Sequence, residues 1–198
     1  MSAALFPVFL KLAGRRVLVV GGGPVATSKI GALVAARAEI TVIAPVMTAG
    51  IDASPVTRHR REFRPDDVEG AWLVVAAATP EVNREVARAA EARGVFVNAV
   101  DDPPNATAYL GGVVRRAGVT LAISTNGQAP ALAGLLREAL DAVLPADLDR
   151  WVAEARAIRP RWIAKRVPMA DRRPQLLRAL NALYARRIWQ IYAQEVWL

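Results

Sequence analysis

The sequence predicts an α/β fold: a doubly wound parallel sheet, then a small α+β segment and a helical tail. Three observations carry this. Apolar runs alternate with helical patterns through the first hundred residues, and a glycine cluster sits where the first apolar run meets the first helix. After Asp101 the alternation gives way to two closely spaced strands and then to helices alone.

The first strand is Val17–Val20, apolar throughout as a strand buried on both faces must be. A helix follows over residues 25–36, then strands at Glu39–Ile43 and Arg58–Phe63, a buried strand at Leu73–Ala77, a helix over 80–93 and a strand at Phe96–Val100. Ala44-Pro45 ends the second strand, and Gly94 stands where a helix C-terminus favours glycine. Beyond Asp101, Val113–Arg115 and Val119–Ser124 flank Arg116-Ala117-Gly118 and predict a hairpin. A helix over Pro130–Leu144 carries Leu132, Leu135, Leu136, Ala139, Leu140 and Val143 on one face, and Pro145 closes it. The remaining residues predict a small helical domain broken at Pro160, Pro168 and Pro174, with tryptophans at 151, 162, 189 and 197 that need covering.

Composition narrows the chemistry. The chain of 198 residues has no cysteine and a single histidine, His59, which excludes disulfides, thiol nucleophiles and multi-histidine metal sites, so no metal ligands are assigned. Its apolar stretches are too short to span a bilayer, and residues 1–16 lack a secretory pattern, so a cytoplasmic location without a membrane partner is expected. Of the net charge of +8, residues 151–198 supply +7, ten Arg or Lys against Glu154, Asp171 and Glu195. Such a tail suits either an anionic partner or a solvated helix face.

Val20-Gly-Gly-Gly-Pro-Val-Ala26 places Gly21, Gly23 and Ala26 at the three small positions of a dinucleotide fingerprint, so the sheet is read as Rossmann-like. Gly21 permits the tight turn, Gly23 admits a pyrophosphate to the backbone, and Ala26 lets the helix pack closely on the strand. Ligands of such sheets lie outside the carboxyl ends of the strands, which selects Gly21–Val25, Ala44–Met47, Ala77–Asn83 and Val100–Asp102 as lining segments, and within them Gly21, Gly22, Gly23, Pro24, Val25, Ala44, Pro45, Thr79 and Val100 for the cofactor, with Asp101 beside it. The acid that binds a ribose at the end of the second strand is missing, since Ala44-Pro45 stands there; Glu39 opens that strand and has a structural role. Arg58, His59, Arg60 and Arg61 read as the polar face of an edge strand. Thr79 is placed to cap the helix that follows it. Asp101 ends a buried strand, where it could act as a general base with a pKa raised by partial burial, or could bond backbone amides in an Asp-Asp-Pro-Pro turn.

These residues resemble the precorrin-2 dehydrogenase family, the dehydrogenase part of sirohaem synthases. The likeness covers roughly residues 5–150 and rests on Phe6-Pro7-Val8-Phe9-Leu10, the motif at 20–26 with Lys29, Val42-Ile-Ala-Pro45, Ala77-Ala-Thr79, Val82-Asn83, Val97-Asn-Ala-Val-Asp101, Ile123-Ser124, Gly127 and Pro130-Ala-Leu-Ala133. The resemblance implies a homodimer with an NAD-binding domain over 1–112, a dimerisation segment over 113–147 and a basic helical domain over 148–198. It implies NAD-dependent oxidation of precorrin-2 to sirohydrochlorin, with Asp101 as the catalytic aspartate, Gly21, Gly23 and Val25 around the pyrophosphate, and Thr79 beside the nicotinamide. The carboxylate-rich tetrapyrrole would then be the anionic partner of the basic tail, with no nucleic acid involved. Three departures stand out: a short 77–83 loop, Thr107–Gly112 in place of an aromatic-proline stretch, and Ala129 where a serine usually caps the next helix, a loss that Asn126 or Gln128 would offset. Some members also insert iron, so a bifunctional dehydrogenase and ferrochelatase is an alternative. A non-enzymatic dinucleotide sensor with a nucleic-acid- or protein-binding tail would leave Asp101 and the 123–133 segment without purpose. Ordinary hydroxy-acid chemistry would want a histidine at the crevice.

Overall fold

The computed structural model describes residues 4–195, with the backbone alone from residue 185 onward. Strands β1 (Arg16–Val20), β2 (Glu39–Ile43), β3 (Thr57–His59), β4 (Leu73–Ala76) and β5 (Phe96–Ala99) form one parallel sheet in the order β3-β2-β1-β4-β5. Helices α1 (Pro24–Ala35), α2 (Ala49–Asp52) and α3 (Pro80–Glu91) make the crossovers. The order reverses between β1 and β4, which is where a doubly wound sheet opens a crevice. Register aligns Val20 with Ile43 and Ala76, Ile43 with His59, and Ala76 with Ala99, so all five strands end along one edge.

Alternation along β1 divides the core. Val17 and Val19 join Ile30, Leu33, Val42, Ile51 and Val75 on the face covered by α1. Leu18 and Val20 join Ile43, Val68, Val74, Val86 and Val97 on the face covered by α3. Most of these side chains are fully removed from water, and each contributes about 1.5–3 kcal/mol relative to exposure. At the opposite edge from the crevice the Arg15 guanidinium lies 3.9 Å over the Trp72 ring, and Arg16 donates to the carbonyls of Asp67 (3.0 Å) and Glu69.

Two differences from the sequence expectation lie in this sheet. The strand expected at Arg58–Phe63 stops at His59, because residues 60–68 bond inward instead of along the ladder. Arg61 donates twice to Asp67 (2.7 and 2.6 Å), the Arg64 amide donates to the same carboxylate at 2.8 Å, and a 3-10 turn follows at Pro65–Val68. The short helix α2 was not foreseen; Thr48 starts it, its hydroxyl lying 2.7 Å from that of Thr27. Of the residues expected on the polar face of an edge strand, Arg58 and His59 lie in β3 while Arg60 and Arg61 fall beyond its end; Arg58 donates to the carbonyls of Ile51 and Ser54, and Arg60 pairs with Asp52.

The chain divides into two compact units, residues 1–111 with 124–130, and residues 112–123 with 131–198. In the second, β6 (Gly112–Arg116) and β7 (Val119–Ile123) form the antiparallel hairpin, turned by Ala117 and Gly118 at positive φ. Helix α4 (Pro130–Val143) follows, tied to β6 by the Arg116–Asp141 ion pair at 2.8 Å. The tail is two helices, α5 (Leu148–Ala164) and α6 (Met169–Glu195). Pro160 and Pro174 do not break them, contrary to expectation; each removes one backbone bond, a local cost that packing between α5 and α6 overrides. Trp162 is buried with its indole donating to Gln175 at 2.8 Å, and Trp151 donates to the Tyr184 hydroxyl at 2.6 Å. The true stop lies just before Pro168, where Arg166 takes φ 49° and Val167 donates back to the Trp162 carbonyl at 2.9 Å. The Trp189 side chain and Trp197 lie outside the described residues. Among the described residues no helix is long and apolar enough to cross a membrane.

Candidate active site

The glycine loop is shaped by its neighbours. Gly21 has φ 126°, and a Cβ there would run into the Ala77 carbonyl; a Cβ on Gly22 would strike the Val46 carbonyl and come within 2.9 Å of the Ala44 side chain. Three segments, the loop after β1, the turn at Ala44–Val46 and the end of β4, therefore meet with no room for a side chain between them. Gly23 differs: nothing lies within 4 Å of where its Cβ would be. It starts α1 with no side chain capping the helix and with Pro24 in the first turn. The first amides of a helix lack internal partners and attract anions, so open space over Gly23 is the shape a pyrophosphate requires. The residues present fit a dinucleotide.

Beside that loop lies a cavity of about 400 Å³ lined by Val25, Ala77, Ala78, Pro80, Asn83, Arg84, Val100, Asp101, Asp102 and Asn105. Of the expected segments it brings together Val25, then Ala77, Ala78, Pro80 and Asn83, and Val100 to Asp102; of the single residues named for the site, Val25, Val100 and Asp101 line it. Gly21, Gly22 and Ala44 lie buried beneath it as packing positions; Gly23, Pro24 and the exposed Pro45 flank the open glycine loop, and Thr79 is exposed outside the lining. Thr79 begins α3, but its hydroxyl makes no cap hydrogen bond. The Glu81 carboxylate is held below its usual range, first by its own backbone amide and next by the Thr79 hydroxyl.

Asp101 is the most unusual residue of the lining, with φ 56°, a left-handed conformation uncommon for any residue but glycine and most tolerated by Asp and Asn. Its carboxylate is exposed, so the partial burial expected to tune it is not what the site provides. The turn role falls to its neighbour: Asp102 accepts from the Asn105 side chain at 2.8 Å, and the Asn105 amide donates back to the Asp102 carbonyl at 3.1 Å. Tyr109 donates to the Pro103 carbonyl at 3.1 Å, and a Cβ at 127 would press to 3.1 Å from its ring at a φ of 73° that favours glycine. Thr107 and Ala108 bond to Val97, closing the outer edge of β5. Just before α4, the Thr125 hydroxyl accepts the Ala129 amide at 3.2 Å.

Asn83 closes the 77–83 segment expected to line the crevice, and it belongs to the lining, with a role the sequence did not assign. Nearly fully buried, it accepts the Ala78 amide at 2.9 Å and so fixes the floor of the cavity. The available signal was an asparagine on the apolar face of a helix, where an unpaired amide would be costly.

Residues 8–112 match the family model described as "Putative NAD(P)-binding". The chain belongs to this NAD(P)-binding family. Residues 118–142 match a second model, "Sirohaem biosynthesis protein central". Siroheme synthase 1 of Aeromonas salmonicida (strain A449) is 39% identical over 181 residues, covering 89% of this chain and 39% of that protein. Siroheme synthase 1 of Pectobacterium atrosepticum is 43% identical over 147 residues, covering 72% of this chain and 31% of that protein. This NAD(P)-binding chain thus spans about two fifths or less of the relatives' own length. Among solved structures, "SirC, precorrin-2 dehydrogenase" shares the fold with TM-score 0.70 at 24% identity, covering 96% of this chain and all of that one.

Proposed function

We propose that this chain is a precorrin-2 dehydrogenase, oxidising precorrin-2 to sirohydrochlorin with NAD in sirohaem biosynthesis. The observation that carries the reading is the cavity at the strand ends, where Asp101 faces ligand space beside a glycine loop fit for a dinucleotide. Gly23, Pro24 and Val25 would hold the pyrophosphate, with Gly21 and Gly22 shaping the loop, Ala44 and Pro45 bordering the adenosine side, and Ala78, Thr79 and Val100 bordering the nicotinamide side. When bound, NAD supplies the two-electron acceptor. The chain's own part is to exclude water from the apolar wall of Val25, Ala77 and Val100 and to accept, at an Asp101 carboxylate oxygen, the proton that leaves the macrocycle. The exposed apolar side of α4, with Leu132, Leu135, Leu136, Leu140 and Val143, supports a homodimer in which a second copy covers it.

Anaerobic incubation with precorrin-2 and NAD tests the reading, following NADH and tetrapyrrole absorbance together. One NADH per tetrapyrrole is expected. Asp101→Asn keeps the left-handed backbone and removes the base, so kcat falls by about 10²-fold or more while NAD binding persists. Unchanged turnover would remove Asp101 from the chemistry. The adjacent carboxylates of Asp101 and Asp102 in one cavity favour a second reading, in which the same site also receives iron as a substrate. Metal-dependent conversion of sirohydrochlorin above the spontaneous rate is its signature.

A further inference from the structure

We infer that Arg84 is a substrate-binding residue of this site, pairing with a carboxylate of the tetrapyrrole. The inference rests on the dehydrogenase reading and adds a residue to it. The cavity walls carry two carboxylates, Asp101 and Asp102, and one cation, Arg84. A ligand rich in carboxylates that must come close to Asp101 meets two like charges, and like charges in a partly desolvated space oppose binding unless a cation stands among them. Arg84 is the cation in place.

Its present partner leaves it available. Arg84 pairs with Glu81 one turn back on α3 at 3.3 Å, a long contact between two exposed side chains. The Glu81 carboxylate is held first by its own backbone amide and next by the Thr79 hydroxyl, each ahead of either contribution from Arg84. The guanidinium can therefore turn to a ligand without leaving a stranded charge, and its planar fork suits a carboxylate bidentately. Its base is fixed by its neighbour: Asn83, buried and bonded to the Ala78 amide, anchors this turn of α3 to the cavity floor.

Steady-state kinetics with precorrin-2 and NAD on the wild type, Arg84→Ala and Arg84→Lys decide the matter, together with direct NAD titrations. Loss of one charge-assisted bond raises KM for precorrin-2 about tenfold in Arg84→Ala, equivalent to about 1.4 kcal/mol. In the same variant kcat and the NAD dissociation constant stay within about twofold, and Arg84→Lys recovers part of the loss. Rising ionic strength weakens substrate binding less in Arg84→Ala than in the wild type. An unchanged KM overturns the assignment and leaves the dehydrogenase reading standing. A parallel loss of NAD affinity also overturns it, assigning Arg84 to a cofactor phosphate. Wild-type protein that binds NAD but does not oxidise precorrin-2 overturns the reading itself and this inference with it.

Discussion

The two units of this chain treat apolar surface in opposite ways. In the parallel sheet every residue of β4 is buried, and both faces of β1 vanish into separate clusters under α1 and α3. In the other unit α4 buries only Ala133, while Leu135 and Val143 are about two-thirds to three-quarters exposed. The lesson is that an apolar stripe states that a face will be covered without stating by what: α1 and α3 have a sheet at hand, whereas α4 presents its leucines outward.

The contrast breaks most sharply at the glycine loop. Gly21→Val forces a Cβ into the Ala77 carbonyl at a positive φ that valine does not adopt, costing about 3 kcal/mol or more. A fall of roughly 10 °C or more in Tm by calorimetry is expected, with loss of NAD binding. A smaller and different effect follows on α4. Leu135→Asp leaves the fold and NAD affinity intact but, if a second copy covers this face, weakens the dimer about 100-fold by burying an unpaired charge, seen by sedimentation velocity. A dimer of unchanged strength would place the interface elsewhere. The smallest effect lies far from both, at Asp67. The hydrogen bond from Arg61 holds its carboxyl below the usual range against the opposing effect of burial, with a lesser contribution from the Arg64 amide. A depressed folded pKa contributes stability that is present above the unfolded value near 4 and lost as pH falls through the folded one. Asp67→Asn therefore lowers Tm slightly at neutral pH, and the gap to the wild type closes below roughly pH 4.

Much of this was legible in the sequence because it obeys local rules. β2 was read to the residue at Glu39–Ile43, since Ala44-Pro45 marks its end, and the hairpin was read from Ala117-Gly118 between two apolar runs. Two failures involve partners outside the segment being read. Nothing local to Arg58–Phe63 shows that Arg61 will turn to Asp67 and end the strand at His59. Nothing local to Pro160 or Pro174 shows that Trp162 will reach Gln175 across two helices. In the candidate site the glycines, the 77–83 segment and Asp101 carried recognisable patterns, whereas Arg84 and Asn105 join the cavity only because the ends of β1, β4 and β5 converge there. The division of labour between Asp101 and Asp102 depends on a left-handed φ that two identical side chains in a row do not announce.

One consequence of the chain's path concerns how the nucleotide-binding unit could be isolated. The unit is discontinuous, because residues 124–130 return to it after the hairpin and bring Gly127 against Tyr109 and Pro103. Simple truncation after residue 111 would strip Tyr109 of that cover beside the turn that carries Asp101. Yet the hairpin leaves and re-enters at paired residues, Gly112 opposite Ile123. Its two ends are neighbours across one ladder rung, about 5 Å apart. A graft of two or three residues from Gly111 to Ser124 would thus close the gap, giving a shortened chain that keeps the glycine loop, the cavity and its Tyr109 brace in one piece.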